Sequence, residues 1–189
     1  MSQEKIAVLD IETTYSDNIL SVGIAIGDSN TFEKLDEKYF VFPEYLNEKA
    51  LFTDRVYLVG AERITECPKA EGIKQIREFL DEHSIKKIYA FNAGFDYRHL
   101  PELHDYSWHD IMRVAKNPNL YDGLSDCVKF TNEGLIKNCG AELVLRMLKK
   151  DDTYTELHNG LTDAIDELEI MRLLGVSIEV YDEVTLTSK

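Results

Sequence analysis

Ile6-Ala-Val-Leu9 is an uninterrupted apolar run that stops abruptly at Asp10-Ile11-Glu12, and no other stretch limits the possible folds as much. Four apolar residues, two of them β-branched, are too few for a helix and suit a strand buried on both faces. Such a strand needs neighbours. Leu20-Ser-Val-Gly-Ile-Ala-Ile26 and Tyr39-Phe-Val-Phe42 supply them across polar turns at Thr13–Asn18 and Gly27–Asn30, so the opening segment reads as an antiparallel meander. Pro43 ends that run.

Further on, Pro68 opens a stretch with Ile73, Ile76, Phe79 and Leu80 at helical spacing, a position proline tolerates. Lys87–Phe91 is a fourth strand that runs into Asn92-Ala-Gly-Phe-Asp96 and a helix whose boundary Pro101 blurs. A fifth strand is expected over Tyr106–Asp110. Helices are expected over Gly134–Lys149 and Leu161–Leu174, with the polar loop Lys150–Thr155 between them, and the remainder from Val176 is short and alternating. The fold class that follows is α/β, a mixed five-stranded sheet flanked by helices. With 189 residues, 44% of them hydrophobic, the chain can bury one good core. The expectation is a single domain over 1–189, its core at about 5–175 and a short C-terminal extension at 176–189.

Thirty-five acids against 21 lysines and arginines give a net charge of −14, which argues against a broad electrostatic grip on long duplexes. Cations held by a carboxylate cluster would offset part of that charge, and a short single-stranded end at one pocket needs fewer basic residues. No apolar segment has signal-peptide or membrane-spanning length, so a cytoplasmic protein with no membrane partner is expected. Cys67, Cys127 and Cys139 lack CxxC spacing and read as buried or incidental thiols.

Asp10 and Glu12 stand at i and i+2 on a strand, so both carboxylates share one face and can share a cation. Acids at a strand end also mark plain exits into water. Asp96 follows a second apolar strand; if that strand lies parallel beside the first, Asp96 meets Asp10 and Glu12. In the same turn Asn92 can hydrogen-bond a sugar or backbone, and Phe95 can pack on a base or on the core. Asp163 falls in the first turns of the last long helix, on what reads as an exposed edge, and His158 lies just outside that helix, free to swing over the site.

Val8-Leu-Asp-Ile-Glu-Thr-Thr14, Ala90-Phe-Asn-Ala-Gly-Phe-Asp96 and His158-Asn-Gly-Leu-Thr-Asp-Ala164 resemble the three motifs of the DEDDh 3′-to-5′ exonucleases, in order, with the HxxxxD spacing of that class. The family includes the proofreading subunit of bacterial DNA polymerase III, ribonuclease T and oligoribonuclease. The resemblance implies a ribonuclease H-like fold, with two divalent cations, Mg2+ or Mn2+, held by Asp10, Glu12, Asp96 and Asp163, and His158 as the base that activates water. It puts Thr13 against the terminal nucleotide and Asn92 near the 3′ end. Phe91 stands where many members have His, Gly160 where they often have Ala, and Tyr15–Asn18 replaces a glycine-containing turn. The implied partner is nucleic acid with a free 3′ end, single-stranded or short, and a polymerase or a second copy of the chain is a candidate protein partner. The competing reading is a non-catalytic nuclease-like domain that docks on a nucleic-acid machine; degenerate domains usually lose a ligand or the base, and all five residues are present.

Overall fold

The computed structural model describes residues 4–186. Strands β1 (Lys5–Thr13), β2 (Ile19–Asp28) and β3 (Lys34–Val41) form the expected antiparallel meander. All ten residues of β2 are buried, because strands flank it on both sides and helices cover both its faces. A sixth strand, β4 (Ile64–Glu66), pairs parallel with β3 at the sheet edge. Three residues carry no legible alternation, so the sequence pattern yields only five strands.

Helix α1 (Lys69–Glu82) begins directly after Pro68 and buries Ile73, Ile76, Phe79 and Leu80. It crosses to β5 (Lys87–Ala90), which lies parallel to β1 through Ala7–Ile88 and Val8–Tyr89. The short helix α2 (Gly94–His99) stops before Pro101, and β6 (Ser107–Asp110) adds a parallel neighbour to β5. The strand order is β4-β3-β2-β1-β5-β6. Helix α3 (Ile111–Ala115) follows, with the Asp110 carboxylate capping its N-terminus. This is the α/β, ribonuclease H-like architecture the motifs imply, with six strands.

Two elements differ from expectation. Helix α4 (Ala141–Lys149) starts well after Gly134, because Gly134 takes a positive φ of 79° and Ile136 bridges back to Phe130. The tail also folds differently: α6 (Ile178–Asp182) packs on the sheet edge and residues after it pair with β6, Leu186 N–H donating to Trp108 O at 2.8 Å. Between these lies α5 (Gly160–Leu174), closed by Gly175 in the left-handed region. Among the described residues no helix is long and apolar enough to cross a membrane.

The parity of β1 organises everything that follows. Ala7, Leu9 and Ile11 pack on the α1 side, whereas Ile6 and Val8 pack on the α5 side with Ala164 and Leu168. Asp10 and Glu12 continue the α5-facing row past the point where the apolar side chains end.

Candidate active site

The start of α5 lies against the sheet with no side chain between. A Cβ on Gly23 would come within 2.0 Å of Gly160 O, and one on Gly160 within 3.1 Å of Asp10 O. Gly23 pairs with Asp10 across β1 and β2, so this contact brings the helix N-terminus directly to the acidic end of β1. Asn159 locks the junction. Its side-chain oxygen caps Leu161 N–H and Thr162 N–H, while its Nδ2 donates to Tyr39 Oη, Arg55 O and Val56 O at 3.0, 2.9 and 3.2 Å.

From that junction Asp163 reaches back, accepting from Asn159 N–H at 3.0 Å. It is 4% exposed, so the exposed edge expected for it is buried: the close approach of Gly160 to β2 folds the first turn inward. Asp96, in the first turn of α2, is 3% exposed and accepts a backbone hydrogen bond from Ile11. That bond uses the edge of β1 left free where β5 ends, and it sets Asp96 beside Asp10 and Glu12 as parallel pairing requires.

The electrostatics follow from burial with little counter-charge, Arg55 beside Glu12 being the exception. Burial, then the charges of Asp110 and Glu12, raise the Asp96 pKa to about 8, against backbone hydrogen bonds that lower it. Asp163 is raised to about 8 by burial and by Glu156, Glu12 and Asp166. Glu12 rises to about 7 through burial and Glu156, with Arg55 opposing. Burial and then Glu167, Asp96, Asp163 and Glu12 push Asp10 well above the carboxylate range. The cluster is poised to accept positive charge.

A ring nitrogen of His158 and one carboxylate oxygen each from Glu12 and Asp163 lie within 4.8 Å of one another. The imidazole therefore stands over the acids. It is not free to swing: residue 158 holds a positive φ of 53°, and its ring stacks on Phe52 with centroids 4.1 Å apart. Burial and the Arg55 charge lower its pKa, against Glu142.

The other expected contacts are less central. Thr13 is half-buried at the end of β1, after a register shift between Glu12 and Thr13. Asn92 is exposed at a positive φ of 64°, its N–H donating to Asp110 Oδ1 at 3.1 Å. Phe95 is half-buried against the α1-side core, with Arg98 over its ring. The turn after β1 needs no glycine, since Asp17 takes the left-handed conformation and Thr14 Oγ1 accepts from Ser16 N–H and Asn18 N–H.

Sequence reading missed Glu167, Glu156, Phe52 and Arg55. Glu167 is 3% exposed, accepts from Phe91 N–H at 3.0 Å, and repels Asp10 and Asp96. It lies four residues after Asp163 on the same helix face, a spacing that could have revealed it. Glu156 has its pKa raised to about 7 by burial, Asp166 and Glu142. Phe52 and Arg55 come from a single 3-10 turn, Thr53–Arg55 with Phe52 as its N-cap, far away in the chain, and leave no local signal.

No family model matches the chain, and no curated protein does either. Solved structures do. E. coli exonuclease I in complex with a dA16 oligonucleotide is similar at a TM-score of 0.60 and 14% identity, over 96% of this chain and 43% of that one. The chain has the fold of an exonuclease. A 3′-exonuclease solved in 3′-end-specific recognition of a histone mRNA stem-loop is similar at 0.61 and 13%, over 92% of this chain and 64% of that one. A full-length 3′-exonuclease is similar at 0.62 and 10%, over 100% and 92%. The chain thus spans less than half the length of exonuclease I and nearly all of the full-length 3′-exonuclease.

Proposed function

We propose that the chain is a divalent-cation-dependent 3′-to-5′ exonuclease, hydrolysing phosphodiesters at single-stranded DNA or RNA ends to 5′-mononucleotides. One observation carries this reading: carboxylates from three separate segments, Asp10 and Glu12, Asp96, and Asp163, lie close enough at the carboxyl ends of β1 and β5 to repel one another, and Glu12 and Asp163 among them meet His158. Likeness in fold to an exonuclease solved with dA16 and to another solved on an mRNA stem-loop supports nucleic acid as the substrate.

The residues fit divalent cations. Among the described residues Asp96 Oδ1 is buried without a hydrogen-bond partner, and the acids around it repel one another without enough positive charge to offset them. Asp10, Glu12, Asp96 and Asp163 would hold the ions, and an oxygen donor set suits Mg2+ or Mn2+. The chemistry supplied by two such ions is charge neutralisation at the phosphate and the departing 3′ oxygen, with acidification of water.

His158 accepts the proton of the attacking water at a ring nitrogen. Burial and Arg55 hold the imidazole neutral at physiological pH, which a proton acceptor must be. Activity should fall at acid pH as His158 becomes protonated, and a flat profile from about pH 5 to about pH 9 would sink that role. Thr13 lies near the terminal nucleotide, Asn92 offers its exposed amide to the sugar or backbone, and Phe95, in the same turn, is the third substrate contact.

The test is digestion of 3′-labelled and 5′-labelled single strands, DNA and RNA in parallel, with magnesium, manganese or EDTA. Mononucleotides leaving the 3′ end only with metal, and not with Asp10→Ala or His158→Ala, support the reading. A folded wild type that cuts neither polymer removes it.

A further inference from the structure

We propose that Phe52 is a positioning residue for His158, and that residues 52–56 form the frame that sets the base over the carboxylates. This inference rests on the exonuclease reading for its catalytic meaning, though not for its geometry. A catalytic histidine is ordinarily oriented by a hydrogen bond to the ring nitrogen remote from the reacting atoms. Here, among the described residues, nothing hydrogen-bonds the imidazole: Glu156 Oε2 stands 3.8 Å from Nδ1, beyond hydrogen-bond reach. What defines the plane of the ring is Phe52, stacked at 4.1 Å with 13° between the planes.

The same segment holds the backbone on both sides of His158. Arg55 Nη1 donates to Leu157 O at 2.9 Å, before the histidine. After it, Asn159 Nδ2 donates to Arg55 O and Val56 O at 2.9 and 3.2 Å. Arg55 also lies over the Phe52 ring, 4.8 Å from its centroid, so the aromatic plane is itself braced. Residue 158 holds the left-handed region, φ 53°, between backbone neighbours that this one short segment grips on both sides, with Tyr39 and Asp163 adding to the hold on Asn159. Stacking fixes the face of the imidazole and leaves its edge free, and that edge carries the nitrogen near Glu12 and Asp163. A ring oriented by packing can present either nitrogen without first breaking a hydrogen bond.

The experiment compares wild type with Phe52→Leu, Phe52→Ala, Phe52→Tyr and Phe52→Trp in two readouts. In steady-state digestion of a single-stranded oligonucleotide with magnesium, Phe52→Leu and Phe52→Ala should lower kcat by about 10- to 100-fold with KM little changed, and Phe52→Tyr and Phe52→Trp should restore it. In 1H–13C NMR the His158 ring protons, assigned by their loss in His158→Ala, should lie upfield in wild type and Phe52→Tyr and move downfield in Phe52→Leu. Unmoved ring protons in folded Phe52→Leu overturn the proposal. So does an unchanged kcat with a raised KM, which would make Phe52 a substrate contact. The NMR arm needs no turnover, so a wild type that cuts nothing removes the exonuclease reading and leaves the stacking decided by the resonance shift.

Discussion

Two ends of β5 hold acidic groups in opposite ways. At the edge near the C-terminus, Asp182 receives Lys87 Nζ at 2.7 Å and Tyr89 Oη at 2.5 Å. Burial pushes its pKa up, but those hydrogen bonds more than offset it, and the carboxyl ends below its ordinary value. Where β5 ends beside β1, Asp96 and Asp163 are buried with acids for neighbours and rise to about 8. The same residue type, on helices packed beside the same sheet, is matched by a cation in one place and left unmatched in the other. Matched acids hold the C-terminal segment to the sheet, and unmatched acids make the place where external positive charge would bind. That contrast separates a structural carboxylate from a functional one more sharply than burial alone does.

The largest test of the contrast is Asp163→Asn. It should cost about 10³-fold or more in turnover if the proposed cation site is right, since Asp163 is one of its proposed ligands, and it should raise the melting temperature in EDTA by relieving repulsion. A loss of both activity and stability would mean that the site acids are matched after all. The second test is pH. Unfolded carboxyls ionise near pH 4, whereas Glu12, Asp96 and Asp163 keep their protons until about pH 7 to 8 in the folded chain. The folded state then binds more protons over that interval, so metal-free stability falls as pH rises from about 4 to about 8. Calorimetry in EDTA should show a drop of at least ~1 kcal/mol, about 2–4 °C, which magnesium or manganese reverses.

Glu167 sharpens the contrast, being a buried acid with one backbone donor and, among the described residues, no cation against it. Glu167→Gln keeps an acceptor for Phe91 N–H and should retain most activity, whereas Glu167→Ala should lose about 10-fold by releasing the turn that carries Asp96. Equal losses in both variants, measured as kcat, would show that its charge matters and not the hydrogen bond. The smallest effect belongs to the matched end: Asp182→Asn should cost about 1–2 kcal/mol in a urea titration and leave turnover unchanged.

Much of this was legible in residue order. The apolar run Ile6–Leu9, the alternation of β2 and the spacing of Ile73, Ile76, Phe79 and Leu80 are periodic signals, and each became the element they describe. Asp10 and Glu12 share a face because strand parity requires it, and Asp96 joins them because β5 lies parallel to β1. The start of α4 was less legible, since its upstream segment is apolar enough for a helix while Gly134 and the Phe130–Ile136 bridge turn it elsewhere.

The sequence by itself determined which residue types stand at the strand ends and the helix start, because local periodicity and motif spacing are properties of neighbours in the chain. Only the tertiary structure decided their environment. Gly23 against Gly160 sinks Asp163 out of water, Glu167 joins the cluster from inside α5, and a loop about a hundred residues away supplies the ring on which His158 rests. Burial and repulsion depend on what surrounds a group in space, and those surroundings exist only once distant segments have packed together.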